Sequence, residues 1–497
     1  MNACDYLLEN GKASAAALLT LQGDASYAEV RASAYALAAW LLAAGSRKGD
    51  RVVLLADPGL FWVAAYLGVL RAGLVAVPVP PRTSAAELQY IVAMSGARFA
   101  LAAAKYAALH AEQLRFTVVL SGIPASSLTP NGKGVSLPET QVNDLAALMF
   151  TSGSTGQPRG VMVSHGNIIA NTESIIECLS LTNRDRIMAV LPFHYCFGTS
   201  LLHTHLRAGG SVVIDQRFLY PEKVLQRMQE TACTGFAGVP SHFQILLRKS
   251  NLARMDLPHL RYVQQAGGQL APAFIKELRQ ALPGKQVFIM YGQTEATARL
   301  SCLPPELVEQ KMGSIGKGIP GVTLSVLDSV GLPVGSGHTG EIVAEGRNVT
   351  LGYWDAPEET EKCFRDGKLY TGDLATVDAE GFIYIVGRAK DFLKCGGTRV
   401  SCRQLENLLL EQGDLLEASV VGVPDDVLGE AAVAYVVPRD PEHHPSPEHL
   451  RNDCRERLPL PLLPRQFFVL KALPKNSSGK VLKAGLLHAW VAEVVGR

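Results

Sequence analysis

Between Tyr27 and Val79 the chain twice runs through the same pair of patterns. An Ala/Leu-rich stretch from Tyr27 to Gly45 has helical spacing and a glycine stop, and it is followed by the short β-branched run DRVVLLAD. The segment FWVAAYLGVLRAG followed by LVAVPV repeats that order. Helix and strand patterns in alternation, with strands apolar on both faces, predict α/β layers around buried parallel strands. Past Gly313 the texture changes to GVTLSVLD, GEIVAEG and GFIYIVG, glycine-punctuated runs that predict antiparallel strands and turns. A smaller unit follows, with CRQLENLLLEQ as a helix, ASVVGVPD and AAVAYVVP as strands, and PRDPEHHPSPEH as a loop. The fold expected is α/β: a large N-terminal domain of layered α/β subdomains with a small β-barrel-like part (1–387), then a small mobile α+β C-terminal domain (388–497), divided at the GRAKD segment.

With 497 residues and a formal net charge of +1, the chain has room for several cores and no field to attract a polyanion, so nucleic acid is not an expected partner. No stretch reaches the about 20 uninterrupted apolar residues that a membrane span needs. The opening MNACDYLLEN has no basic segment leading into an apolar core, and the nine cysteines are scattered without CxxC spacing. A cytoplasmic protein with free thiols is expected, and its oligomeric state is not legible.

LAALMF, at 145–150, predicts a buried strand that runs directly into TSGSTGQPRG. Glycines beside small hydroxyl residues let consecutive N–H groups face one anion, so Thr151, Ser152, Ser154 and Thr155, with Gly153 and Gly156, are candidate donors to nucleotide phosphates. No GKS or GKT closes the loop, which separates it from the Walker pattern. Taken alone, the segment favours a solvated Ser/Gly turn.

This loop is the first of an ordered series: TSGSTGQPRGVMVSHGN, LPFHYCFG, QQAGGQLAP, MYGQTEAT, GSIGKGIPG, LYTGDLA, GRAKDFLKCGGTRVSCRQLE and LPKNSSGKVLK. The series resembles the adenylate-forming (AMP-binding) enzyme superfamily, which includes acyl-CoA synthetases, aryl acid ligases, firefly luciferase and the adenylation domains of peptide synthetases. The resemblance spans about residues 150 to 483 and implies a two-step, ATP- and Mg²⁺-dependent ligase. In it a carboxylic acid becomes an acyl-adenylate, and the acyl group then passes to the thiol of coenzyme A or of a carrier-protein phosphopantetheine.

The resemblance also implies roles by position. Tyr291 faces the adenine, with Gly267, Gly268, Gly292 and Gln293 around the nucleotide; Thr294 contacts phosphate, and Glu295 with Thr155 holds Mg²⁺. Asp373 accepts from the ribose hydroxyls, and Arg388 reaches the same sugar. Lys480, on a Gly/Ser-rich loop, is the adenylation lysine. Lys390 matches the hinge, Lys394 a lysine of the second half-reaction, and Gly397 the glycine that lets a pantetheine arm pass. Arg159 stands where many relatives have lysine.

In LPFHYCFG, His194 occupies the position at which α-amino-acid adenylating domains usually carry an aspartate. It instead resembles the histidine that flanks the carbonyl in acyl- and aryl-CoA ligases, although a packed core histidine also satisfies the pattern. Phe197, Phe236 and Val239 are expected to make the acyl pocket apolar, with Gly235, Ala237 and Gly238 leaving room, so a fatty or aryl acid is the expected substrate. Two alternatives stay open: a stand-alone amino-acid adenylating enzyme that loads a carrier protein, and a non-catalytic nucleotide-binding regulator.

Overall fold

The computed structural model describes residues 1–115, 117–124, 136–152, 158–388, 391–395, 398–411, 414–440, 442, 445–459, 462–475 and 481–495. The expected α/β layering is present. The two helices at the start of the alternation form as Tyr27–Ala43 and Leu60–Arg71, and their paired strands as Arg51–Leu55 and Val75–Pro78. Ser26 caps the first helix through a reciprocal box with Glu29, and Gly45, at φ +90°, follows its C-terminus as a glycine stop.

A six-stranded sheet runs in the order Val118–Leu120, Phe99–Ala102, Arg51–Leu55, Val75–Pro78, Leu145–Ser152 and Pro158–Ser164. It is parallel except for its last pair. A nine-stranded sheet holds Gln286–Tyr291, Tyr262–Gln265, Gly235–Gly238, Arg186–Ala189, Ser211–Ile214 and Ala16–Leu19 as its parallel centre. One apolar core, fed by both sheets and by the helices His165–Leu179 and Cys196–Ala208, joins them. A second core covers the other face of the larger sheet, where Phe236, Phe243, Val263 and Phe274 pack.

The β-rich part is a five-stranded antiparallel sheet of Val322–Leu327, Thr339–Gly346, Phe364–Arg365, Lys368–Val377 and Ile383–Arg388. A fourth sheet of five strands begins at Phe392–Cys395 and carries the helix Cys402–Leu410. One element differs from the sequence reading. The Pro/His-rich segment is not loop throughout, because Ser446 accepts the N–H of His449 at 3.1 Å and starts the helix Pro447–Arg455. No helix among the described residues is long and apolar enough to cross a membrane.

Candidate active site

Parallel strands bring their C-terminal ends to one edge, and the loops that leave that edge are where a doubly wound sheet gathers ligand groups. Here the strands Gly235–Gly238, Tyr262–Gln265 and Gln286–Tyr291 deliver Val239, then Gly267 and Gly268, then Tyr291 and Gly292 to the wall of a single cleft. The third sheet adds Asp373 and Arg388, and the C-terminal part adds Asp391, Arg403, Glu406, Lys475 and Lys483.

Asp373 and Arg388 face each other as register partners on neighbouring antiparallel strands. Arg388 Nε donates to Asp373 Oδ1 at 3.0 Å, and the Tyr291 hydroxyl donates to Oδ2 at 2.7 Å. Only 6% of Asp373 is exposed, so its charge is balanced by Arg388 and its second oxygen is hydrogen-bonded by Tyr291 rather than by water. Burial, followed by the neighbouring Asp373, pushes the Tyr291 phenol well above its ordinary range, which keeps it a donor. Asp373 in turn raises the Arg388 guanidinium.

A second cluster forms where the hairpin of Leu145–Ser152 and Pro158–Ser164 meets the turn Thr294–Ala296. Thr151 pairs with Arg159 across the hairpin. The strand Pro158–Ser164 is then stitched to 351–354 by Met162 N–H to Gly352 O and Trp354 N–H to Gly160 O. That places the Arg159 guanidinium 5.6 Å from the Tyr353 ring centre, while the Tyr353 hydroxyl donates to Glu295 Oε1 at 2.8 Å. Glu295 is further fixed through its backbone carbonyl, which accepts from both Thr350 N–H and Oγ1. The chain reverses sharply here: Thr297 sits at φ +67°, and a Cβ on Gly292 would lie 2.0 Å from the Ala298 carbonyl oxygen. Thr294 Oγ1 donates to Cys196 Sγ at 3.3 Å, and the Gln293 amide nitrogen is buried without a partner.

Among the described residues no three His, Cys, Asp or Glu side chains gather as a protein-only metal cage. The single Glu295 carboxylate is nevertheless a hard oxygen donor of the kind that suits Mg²⁺, which prefers one or two carboxylates plus substrate phosphates.

His194 is buried between the strand Arg186–Ala189 and the helix Cys196–Ala208, with its ring 4.4 Å from that of Tyr195. Its Nε2 has no partner, and burial pushes the imidazole down to about 4, so it is neutral at physiological pH. Phe197, Val239 and Gly267 meet: a Cβ on Gly267 would lie 2.9 Å from Val239 Cγ1 and 3.8 Å from Phe197 Cδ1. Phe236 and Gly238 do not join them. Strand alternation turns both toward the opposite face, where Phe236 packs on Phe218 and Phe243, and a Gly238 Cβ would meet His242 and Phe243. Gly235 makes room for the Tyr262 ring rather than for a ligand.

Gly153, Ser154, Thr155, Gly156, Lys390, Gly397 and Lys480 lie outside the described residues, as do the side chains of Ser152 and Lys394. The base of the Lys480 segment is described: Lys475 pairs with Val481, and both line the cleft. Ion pairs hold this base, Lys475 to Glu417 at 2.7 Å and Lys483 to Glu406 at 2.8 Å. Sequence reasoning passed over Lys475, Lys483 and Tyr353. The two lysines stand inside the LPKNSSGKVLK motif that carries Lys480 and are visible there, whereas nothing local marks Tyr353.

A family model for AMP-binding enzymes matches residues 9–354, and one for the AMP-binding enzyme C-terminal domain matches 404–480. Feruloyl-CoA synthase from Amycolatopsis sp is 33% identical over 464 residues, 92% of each chain. ATP-bound MatB from Rhodopseudomonas palustris superposes with a TM-score of 0.89 at 28% identity, covering 99% of both chains. The o-succinylbenzoate CoA synthetase MenE from Bacillus subtilis, in complex with the acyl-adenylate intermediate OSB-AMP, superposes at 0.86 with 29% identity and 97% coverage of both. With matches of this length at both ends and a fold shared along its whole course, the chain belongs to the AMP-binding enzymes.

Proposed function

We propose that the cleft activates an apolar-walled acyl or aryl acid for transfer to coenzyme A, with the residues described above in defined roles. As a member of its family the chain is an AMP-forming acid–thiol ligase: ATP and an acid give an acyl-adenylate and pyrophosphate, and a thioester follows. The observation that carries the assignment of roles is the convergence of Gly267, Tyr291, Gly292, Asp373 and Arg388, from separate segments, on one cleft wall.

In the first half-reaction Tyr291 and Asp373 hold the adenosine, the latter exchanging its internal donors for ribose hydroxyls. The hairpin from Thr151 to Arg159 holds the outer phosphates. The substrate carboxylate attacks the α-phosphorus in line, an O–P bond forms, and the bond to pyrophosphate breaks. A carboxylate needs no general base, so alignment and charge neutralisation supply the acceleration. Glu295 would hold Mg²⁺, which would supply charge neutralisation for the leaving pyrophosphate. Lys480 reaches the oxygens that gain charge.

In the second half-reaction a thiol sulfur attacks the acyl carbonyl, AMP leaves, and the thiol proton passes to solvent. His194, neutral and buried beside the helix Cys196–Ala208, flanks that carbonyl. Lys480 withdraws, and Lys394 and Gly397 come to the site by rotation about Lys390, with the C-terminal domain taken as 388–497. His194 in place of an aspartate supports a non-zwitterionic acid, and the relatives' names, which end in coenzyme A chemistry, support coenzyme A as the acceptor.

The test is acid-dependent exchange of labelled pyrophosphate into ATP over a panel of fatty, aryl and amino acids, followed by mass spectrometry of products formed with coenzyme A or with a phosphopantetheinylated carrier protein. An acyl-CoA from an acyl or aryl acid is expected. Exchange with amino acids alone would overturn the assignment of the pocket.

A further inference from the structure

Arg299 is among the largest fully buried side chains of the protein, with 1% of its surface exposed. Other buried charges have a counterion: Asp215 with Arg217 at 2.6 Å, Asp185 with Arg261 at 3.0 Å, and Arg248 with Glu277. Arg299 has none. Its guanidinium stacks on the Phe197 ring, 3.8 Å from the ring centre, and makes one long hydrogen bond, 3.4 Å, to Gln264 Oε1. Its Nε is buried without a partner.

The titratable groups that face it are the thiols Cys196, Cys302 and Cys178, and no carboxylate contributes. Burial draws the guanidinium down to about 10, so it remains charged at neutral pH. Nor can it easily leave. Asn171 accepts the Arg299 N–H and donates to its carbonyl at 2.8 Å, and Asn348 donates to the same carbonyl at 2.9 Å, clamping the backbone. A buried cation without an anion is among the costliest arrangements a fold can hold, and replacing such charges by apolar groups of similar volume is often neutral or stabilising.

The location supplies a reason to retain it. Phe197 is the ring that, with Val239, closes over Gly267, and Val239 and Gly267 line the cleft. Arg299 therefore lies one ring's thickness behind the wall against which the acid's tail is placed. It is also hard by the Tyr291 strand, since a Cβ on Gly292 would lie 2.7 Å from Arg299 Cα.

We propose that Arg299 is a specificity-determining residue, and that its guanidinium receives an anionic oxygen, carboxylate or sulfonate, at the distal end of the acid being activated. A turn of the Phe197 ring opens the contact, and the planar fork then binds the oxygens while the flanking walls hold an apolar spacer. This rests on the ligase reading above and names its substrate class: acids with two anionic ends, one activated and one recognised.

The experiment compares pyrophosphate exchange for matched acids of one length, such as hexanoate, adipate and 6-sulfohexanoate, and 3-phenylpropanoate against its ring-carboxylated counterpart. In the native protein the doubly anionic acids are expected to lead by about 10²-fold or more in kcat/KM, carried mainly by KM. The carboxylate and sulfonate arms tell the two anions apart. Arg299→Met is expected to abolish that lead while its Tm without ligand stays equal or rises. Equal or better use of the apolar monoacids by the native protein would overturn the proposal, whether or not the variant folds. So would a lower Tm in Arg299→Met with selectivity unmoved, since that marks a structural arginine. Absence of exchange with every acid would instead remove the ligase reading itself.

Discussion

The Tyr291 hydroxyl and the Asp373 carboxylate are joined at 2.7 Å across the cleft wall, and Arg388 holds the second carboxylate oxygen at 3.0 Å. Both carboxylate oxygens are therefore fixed in direction, and in the proposed role ribose hydroxyls would take the places of these donors. Each hydrogen bond to a charged group contributes about 1.5–3 kcal/mol. Asp373→Ala is therefore expected to weaken ATP binding by about 10–100-fold, and it also strands Arg388 without its counterion. Calorimetric titration with ATP, alongside circular dichroism to establish folding, checks this. Unchanged affinity in a folded variant would mean that the sugar lies elsewhere.

Glu295 and Tyr353 form the corresponding pair on the phosphate side. Tyr353 donates to one carboxylate oxygen, and Arg159 lies over the tyrosine ring, so the carboxylate is aimed by a neighbour rather than by its own rotamer. Glu295→Gln is expected to raise the Mg²⁺ concentration for half-maximal AMP formation and to lower kcat by about 10²-fold. Tyr353→Phe leaves the carboxylate in place and is expected to cost less than about 10-fold. Mg²⁺ titrations of both variants separate the effects, and chelation of Mg²⁺ is expected to abolish the first half-reaction. Equal Mg²⁺ dependence in all three proteins would detach Glu295 from the metal.

What the sequence reveals here follows the range of the interactions. The strands Arg51–Leu55 and Val75–Pro78 and the helices paired with them are set by local apolar spacing, and they were legible as such. Asp373 and Tyr291 were legible because each sits in a distinctive motif. Their mutual contact, 82 residues apart, was not. Phe236 and Gly238 were read onto the acyl pocket, but which face of a strand a residue takes depends on register, and a one-residue change reverses it. Arg299 lies four residues beyond the YGQTE motif and looks like any polar residue after a turn. Only burial beneath Phe197 reveals its missing counterion.

Lys480 is expected to act in the first half-reaction alone. The paired base formed by Lys475 and Val481 lines the cleft, so the motif that carries Lys480 is attached at the cleft where adenylation is proposed. Lys480→Ala is expected to slow adenylate formation by about 10²–10⁴ while ATP binding persists, and to leave thioester formation from a supplied acyl-adenylate unaffected. Among the described residues the ion pair that Lys475→Ala breaks is the one with Glu417, and less than about a 10-fold change is expected. Single-turnover assays of each half-reaction decide the matter. An equal loss in both halves would show that the lysine supports the fold of the C-terminal part rather than one chemical step.

Four buried histidines and the half-buried His242 link stability to pH. Burial holds His165, His194, His205 and His242 down to about 4 and His203 down to about 3, against an ordinary value of 6.5. In the unfolded chain each takes up a proton as the pH falls through about 6.5, whereas in the folded protein each stays neutral until near 4 or below. Across that window the unfolded state binds more protons, so stability is fully present above about pH 6.5 and is lost as the pH falls toward 4. Each such proton is worth about 1.4 kcal/mol per pH unit. The urea midpoint is expected to change little between pH 8 and pH 7 and to fall steeply below pH 6. Replacing one member should reduce the slope by about one proton, and His203→Phe is the natural choice, because its Nε2 contacts only the Tyr66 hydroxyl at 3.1 Å. A midpoint that holds steady from pH 7 to pH 5 would mean that these imidazoles are not kept neutral by the core.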